Sequence, residues 1–381
     1  MKIIIAPDKF KDSMNSFEFC GIVEEGLLAG CPGIDIIKLP MADGGDGTME
    51  VIDHYIGGEQ LKVEVQNPLF KKIEASYLFS SVSKTAFIEM AAASGLKLLK
   101  PQERNCMYTS SMGTGELILD AIKRGAKEIL LGIGGSATND CGIGMASAFG
   151  YRFLDKKGNE VLPIGKHLSK ICMIDDSNVT SLMENVVFRV ACDVTNPLYG
   201  KNGAAYSYGA QKGANMEEIK VLDKGLWDFS KTLDTHFNTT VQSIKGAGAA
   251  GGMGAGAATF LKGELISGIE LILDLANFDK YVKNADWVIT GEGLLDHQTL
   301  SGKTILGVLK RANTYQAPVA VFCGGVTINE KTQNELGITY VTSILRNVSN
   351  LNEALSVSKE NLFFTAFNFS KLISLKRKRT K

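Results

Sequence analysis

The chain has 381 residues, enough for two or three domains at about 150 residues each. Hydrophobic residues make up 45% and charged residues 22%, an ordinary globular balance that excludes global disorder. Lys plus Arg is 41 and Asp plus Glu is 41, so the net charge is zero and leaves no electrostatic footprint for nucleic acid or an anionic membrane.

No apolar run approaches the ~20 residues of a membrane helix. The short apolar stretch in MKIIIAPDKFKDS gives way at once to charges, unlike a secretory segment. A cytoplasmic, soluble protein is the expectation. The 7 cysteines are scattered without a C-x-x-C pair and only 4 histidines are present, so a structural zinc site is not expected. Glycine stands out, with 41 residues against 8 prolines; its clusters mark tight backbone approach or anion-binding turns.

In chain order, Ile3-Ile4-Ile5-Ala6 reads as a strand buried on both faces of a parallel sheet. Asp8, Lys9, Lys11 and Asp12 follow it, then a helix from Ser16 to Ala29. A second unit runs from Ile34–Ile37 through Met41-Ala42-Asp43-Gly44-Gly45-Asp46-Gly47-Thr48 into a helix ending near Tyr55. Alternating stretches at 61–65, 73–77 and 86–89 suggest antiparallel strands. Thr114 is placed to cap a helix whose Leu117, Ile118, Ala121 and Ile122 share a face. The strand Glu128–Leu131 feeds Gly132 to Asp140, and the strand Val186–Ala191 ends at Cys192-Asp193-Val194-Thr195-Asn196-Pro197. Residues 246–258 contain only Gly, Ala and one Met; a flexible linker is one reading, although Ser and charge are absent. Strands return at Trp287–Thr290, Val319–Phe322 and Thr339–Ile344, with a helix over roughly 300–312 and two terminal helices. The basic run Lys376-Arg377-Lys378-Arg379 reads as a solvated helix end.

Parallel βα units at 1–60 and 283–381 can share one Rossmann- or flavodoxin-like sheet of order 2-1-3-4-5. Residues 61–282 then form an inserted mixed α/β domain with antiparallel strands and glycine-rich loops. In open α/β sheets, ligands bind beyond the carboxyl ends of the strands. Those ends carry Asp8-Lys9-Phe10-Lys11, Asp43-Gly44-Gly45-Asp46, Gly291-Glu292-Gly293 and Asp296. Carboxylates beside glycines and lysines suit a magnesium-bound phosphorylated ligand, although each Asp-Gly alone also reads as a turn.

Gly132-x-Gly134-x-x-Ala137 and Gly246-x-Gly248-x-x-Gly251 fit a relaxed dinucleotide pattern, a weak signal that keeps a dehydrogenase open. The narrower reading makes Gly134-Gly135-Ser136-Ala137-Thr138 an anion-binding turn at a helix start. Gly302-Lys303-Thr304 resembles the tail of a phosphate loop, but His297 stands where its first glycine belongs. His297 itself reads most simply as an exposed helix start. No G-x-S-x-G elbow is present, so α/β-hydrolase chemistry has no support.

Taken together, the segments closely resemble the type I glycerate kinase family, the bacterial ATP-dependent glycerate 2-kinases. The resemblance rests on ordered motifs from Ala6-Pro7-Asp8-Lys9-Phe10-Lys11 and Met41–Thr48 through Glu89-Met90-Ala91-Ala92-Ala93-Ser94-Gly95 and Gly113–Ile118. It continues through Gly132–Asp140, Cys192–Leu198, Gln211-Lys212-Gly213-Ala214, Gly246–Gly256 and Ile289–Gly293. It implies two domains with an active site in the cleft between them, and phosphorylation of D-glycerate by ATP with Mg²⁺ to give 2-phosphoglycerate. D-glycerate and ATP are the expected partners, in a monomer or homodimer. A kinase of another small hydroxy acid and a non-catalytic sugar-acid sensor are the alternatives.

On this reading Asp193 leads as general base with Asp43 second, and Lys11 and Lys212 hold a carboxylate or the γ-phosphate. Asp8, Asp43 and Glu292 are the expected Mg²⁺ ligands. Asp8, Lys9, Gly134, Gly135, Ser136, Thr138, Asn139, Asn196, Gly291 and Gly293 are expected to contact substrate or phosphate. The chain departs from the family at Leu294, where Arg is common, at Asp12 and Cys141 for Gly, and at Ala210 for Pro. Leucine cannot fork onto a carboxylate or phosphate, and Asp12 adds negative charge expected to weaken ATP binding modestly.

Overall fold

The computed structural model describes residues 1–43, 47–296 and 303–378. The chain is mixed α/β and divides into two compact units, Met1–Tyr55 with Gly268–Lys381, and Ile56–Ser267. The sequence reading drew its boundaries after 60 and 282. The helix Gly268–Leu275 instead lies with the first unit, because Arg311 on the helix Lys303–Thr314 reaches Glu270 at 2.5 Å and Asp274 at 2.6 Å.

The first unit holds a five-stranded sheet in the spatial order Tyr340–Ser343, Val319–Val326, Trp287–Leu295, Lys2–Ile5, Asp35–Lys38. Every neighbouring pair is parallel. Counted in the unit's own chain order this is 2-1-3-4-5, as expected for a doubly wound sheet. Ile3, Ile4 and Ile5 are fully buried, which explains the unbroken apolar run. The helix Ser16–Gly30 starts at a capping box, with Asn15 accepting from the Glu18 N–H and Glu18 accepting from the Asn15 N–H. It packs on the last helix, Ser358–Lys378, so closely that a Cβ on Gly26 would sit 2.5 Å from the Phe363 carbonyl oxygen.

The second unit is built on a six-stranded sheet, Glu264–Ile266, Val187–Ala191, Glu128–Gly132, Thr85–Glu89, Lys72–Ser80, Glu59–Gln66. The first four are parallel and the last two antiparallel. The stretch at 86–89, expected in an antiparallel region, pairs antiparallel on one side and parallel with Glu128–Gly132 on the other. Thr114 is not a cap. It lies inside the helix Met112–Lys123, and its hydroxyl bonds Ser94 Oγ at 2.7 Å.

The linker reading of 246–258 is overturned. Ala249–Phe260 is a buried helix with a kink at Ala250, Gly251 and Gly252, all at positive φ. Glycine is required there by contact as well as by conformation. A Cβ on Gly251 would stand 2.1 Å from the Thr138 carbonyl oxygen. Among the described residues, no helix is long and apolar enough to cross a membrane.

Candidate functional site

In the first unit, chemistry gathers where the central strands end. Strand Trp287–Leu295 runs past the expected stop at Gly291, pairing out to Leu295 with Val326. Beside it the chain leaving Lys2–Ile5 is held by Asp8 N–H donating to the Gly291 carbonyl at 3.1 Å. This is where the strand order reverses, the place where such sheets bind ligands. Asp8 Oδ1 accepts from the Lys9 N–H at 2.7 Å, and Oδ2 from the Thr304 hydroxyl at 2.6 Å. Burial raises the Asp8 carboxyl above its usual range, and the charge of Asp43 adds to the rise while Lys9 opposes it. Asp8, Lys9 and Asp43 therefore share one electrostatic neighbourhood. Asp8 and Lys9 also line a shallow pocket with Asn15, Phe17 and Glu50.

Lys11 is exposed and Gly293 lies next to it, since a Cβ on Gly293 would meet Lys11 N at 3.8 Å. Gly291 is a packing glycine: a Cβ there would fall 2.2 Å from the Phe322 carbonyl oxygen and 2.9 Å from the Phe19 ring. The expected triad of Asp8, Asp43 and Glu292 does not form as a preassembled cation cage. Among the described residues no three His, Cys, Asp or Glu side chains gather to hold a metal ion. Glu292 stands within the extended strand opposite Cys323. Gly44, Gly45, Asp46, His297 and Gly302, and the side chain of Lys303, lie outside the described residues.

In the second unit the loop after Glu128–Gly132 is the centre. Gly134 and Gly135 are exposed, whereas Ser136, Thr138 and Asn139 are buried. Lys212 is buried with them, 2.8 Å from Ser136 Oγ and 2.7 Å from the Thr138 carbonyl oxygen, to which it donates. Burial pulls its ammonium down to about 8. Thr138 Oγ1 and both polar atoms of the Asn139 amide are buried without a hydrogen-bond partner. Native interiors rarely leave such groups unsatisfied, and three together beside a buried cation call for a polar ligand or water.

No helix opens at Gly134–Thr138, contrary to the sequence expectation. The helix begins at Ile143. Its N–H groups are taken up by Asp140, whose carboxylate accepts from Gly142 N and Gly144 N at 3.3 Å and from Ser111 N at 2.8 Å and Ser111 Oγ at 2.7 Å. Asp140 thus organises the loop rather than facing a ligand, and burial raises its carboxyl despite those donors. Asn196 is also occupied internally. Its amide donates to the Asn202 carbonyl at 2.8 Å and to Ser207 Oγ at 3.1 Å, and accepts from the Tyr208 hydroxyl at 2.7 Å. These bonds brace the loop after Asp193. Asp193 itself is half-buried, just past the strand Val187–Ala191.

Sequence reasoning missed Thr304, Asp140 and Ser111 as supporting residues. Thr304 was visible only as the end of Gly302-Lys303-Thr304, and nothing local ties it to Asp8. Two family departures gain an explanation. Asp12 and Cys141 both sit at positive φ, 61° and 53°, the conformation glycine adopts without strain. Leu294 is half exposed.

The sequence model of the glycerate kinase family matches residues 3–374. A glycerate kinase of Bacillus cereus is 44% identical over 370 residues, 97% of each chain. A glycerate 2-kinase of Escherichia coli K12 is 40% identical over 375 residues, 98% of each. A crystal structure from Salmonella typhimurium LT2, assigned to a glycerate kinase 2, superposes with a TM-score of 0.86 at 40% identity, covering 99% of both chains. Strand-end carboxylates in one unit and a buried lysine with orphaned polar groups in the other, in a chain with these relatives, define a kinase. The chain belongs to the glycerate kinase family.

Proposed function

We propose that this chain transfers the γ-phosphoryl group of ATP to the 2-hydroxyl of D-glycerate, giving 2-phosphoglycerate and ADP. The observation that carries the reading is the buried Lys212 ammonium set among Ser136, Thr138 and the unsatisfied Asn139 amide. That group answers a small anion bearing hydroxyls. The named glycerate kinases at 40–44% identity supply the substrate class.

Phosphoryl transfer needs in-line positioning and charge neutralisation more than covalent help. The glycerate oxygen bonds to the γ-phosphorus, the bond from that phosphorus to the β,γ-bridging oxygen breaks, and the hydroxyl proton passes to a carboxylate. Asp193 is the leading acceptor of that proton and Asp43 the second. Lys212 and Lys11 neutralise carboxylate or γ-phosphate charge, and the exposed Gly134-Gly135 backbone lies open to phosphate oxygens. Mg²⁺ is typically held by one or two carboxylates together with substrate phosphates, so Asp8 and Asp43 are sufficient protein ligands for an ion entering with the nucleotide. When bound, it would neutralise charge on the phosphates. The cleft between an inserted domain and the Rossmann-like domain, and residence in the cytoplasm, belong to the same proposal and rest on family resemblance.

The test is an ATP- and Mg²⁺-dependent assay on D-glycerate with ³¹P NMR of the product. A 2-phosphoglycerate signal supports the reading, and a 3-phosphoglycerate signal corrects the regiochemistry. Absence of turnover by folded protein rejects it. Asp193→Asn should lower kcat roughly 10²-fold with KM for ATP near wild type; an unchanged kcat removes Asp193 from its role.

A further inference from the structure

The motif Glu89–Gly95 has no part in the chemistry above, yet it is fastened along the Gly132–Asn139 loop. Met90 N–H donates to the Gly132 carbonyl at 2.8 Å, Leu96 N–H to Gly135 at 2.9 Å, and Ala137 N–H to Ser94 at 2.9 Å. A Cβ on Gly135 would stand 3.2 Å from Ala91 Cβ. The parallel strands are aligned so that Glu89, Gly132, Ala191 and Ile266 form a single row across the carboxyl edge of the sheet. Of these four, Glu89 alone bears a charge. From the same row the chain continues into the Gly134–Asn139 loop on one strand and to Asp193 on the next.

Most of the polar groups collected around that loop are donors: the Lys212 ammonium, the Thr138 hydroxyl, and the Nδ2 of Asn139. They suit a carboxylate or phosphate. A hydroxy acid also brings hydroxyl donors, and these need acceptors. Glu89 is half-buried, and among the described residues its side chain forms no hydrogen bond. Burial holds its carboxyl above the usual range, with the charge of Lys97 opposing.

We infer that Glu89 is a further substrate-contacting carboxylate, accepting a hydrogen bond from a hydroxyl of the small hydroxy acid bound at the Gly132–Asn139 loop. The inference rests on the glycerate kinase reading and adds a specificity determinant to it. Glu89 contributes recognition of the polyol end of the substrate, whereas Lys212 answers its negative charge. An acid lacking the contacted hydroxyl loses only the Glu89 interaction.

Glu89→Gln and Glu89→Ala test it in the full chain, with folding checked by circular dichroism and thermal melting. The isosteric Gln variant covers the case in which Ala does not fold. The expected result is a KM for D-glycerate raised 10-fold or more in both variants, with KM for ATP within 2-fold of wild type. The acidic limb of the pH profile of kcat/KM should also move or vanish, which a purely structural role would not produce. Folded variants with KM for D-glycerate and pH profile both within 2-fold of wild type overturn the inference and leave the kinase reading standing. If the wild-type protein does not turn over D-glycerate, calorimetric titration with D-glycerate separates the two. Binding that weakens 10-fold in the variants sustains Glu89 while the phosphoryl-transfer reading falls, and absence of wild-type binding overturns both.

Discussion

Lys212 Nζ donates at 2.7 Å to the carbonyl oxygen of Thr138, a residue whose own hydroxyl is buried and unpartnered. The cation is therefore fixed to the loop by this backbone oxygen and by Ser136 Oγ, while the Thr138 hydroxyl and the Asn139 amide remain without a partner. Burial disfavours the charge of an ammonium with no carboxylate at bonding distance, so an anion arriving beside it would stabilise the charged form.

That arrangement gives a pH dependence. Burial lowers the folded pKa of Lys212 to about 8, so the cation is present below that pH and lost above it. kcat/KM for the anionic substrate should fall on an alkaline limb near pH 8, measured by steady-state assay. Lys212→Met should lose about 10²-fold or more in kcat/KM and the limb with it. The stability effect has the opposite direction. Between about pH 8 and the unfolded value of about 10.5 the unfolded chain holds more protons at this site, so stability rises with pH. The melting temperature of the ligand-free wild type should gain on that of Lys212→Met across this window.

Gly251 sets a second prediction. A Cβ there meets the Thr138 carbonyl oxygen at 2.1 Å, and its φ is +75°. Gly251→Ala should destabilise by roughly 2 kcal/mol or more, since strain and overpacking add. Denaturant unfolding measures the loss. A change below about 0.5 kcal/mol, the ordinary scatter of surface substitutions, would mean the helix and loop can part without cost.

Thr304→Val removes the hydroxyl that donates to Asp8 Oδ2 at 2.6 Å and leaves the shape nearly intact. A bond to a charged acceptor contributes about 1.5–3 kcal/mol, so a stability loss of this order is expected. Thr304→Ser should recover most of it. A loss in Thr304→Ser with none in Thr304→Val, which keeps the methyl group, would assign the effect to packing instead of the hydrogen bond.

Asp12 is exposed and sits at φ 61°. Asp12→Gly should raise stability by up to about 1 kcal/mol, because L-residues pay roughly that in the left-handed region. It should also lower KM for ATP if the extra negative charge opposes nucleotide binding. Cys141, at φ 53°, is fully buried. Exchange for glycine there trades strain against lost packing.

Strongly patterned elements were legible in the sequence. Ile3–Ile5 could only be a strand covered on both faces, and the βα units at the two ends of the chain gave the order 2-1-3-4-5. What escaped was set by tertiary contact. Thr114 looks like a cap until Ser94 is seen to take its hydroxyl. The glycine-rich stretch resembles a linker because composition does not reveal that Thr138 and Asn139 lie against it. Asn196 is held by Asn202, Ser207 and Tyr208, partners that no local pattern announces. Thr304 and Asp8 are separated by 296 positions, and no local pattern joins them.

The closeness of Gly26 and Gly30 to the last helix has a consequence for how the chain is made. A Cβ on Gly30 would fall 1.9 Å from Ser370 Oγ, so the first helix is shaped to receive the final one. At about 5–20 residues per second of synthesis, the opening segment leaves the ribosome well before its partner exists. The unit Ile56–Ser267 is continuous and has all its strands by then. The helix Ser16–Gly30 is therefore made well before the helix it packs on, and its apolar face stays uncovered on the nascent chain until Ser358–Lys378 has followed.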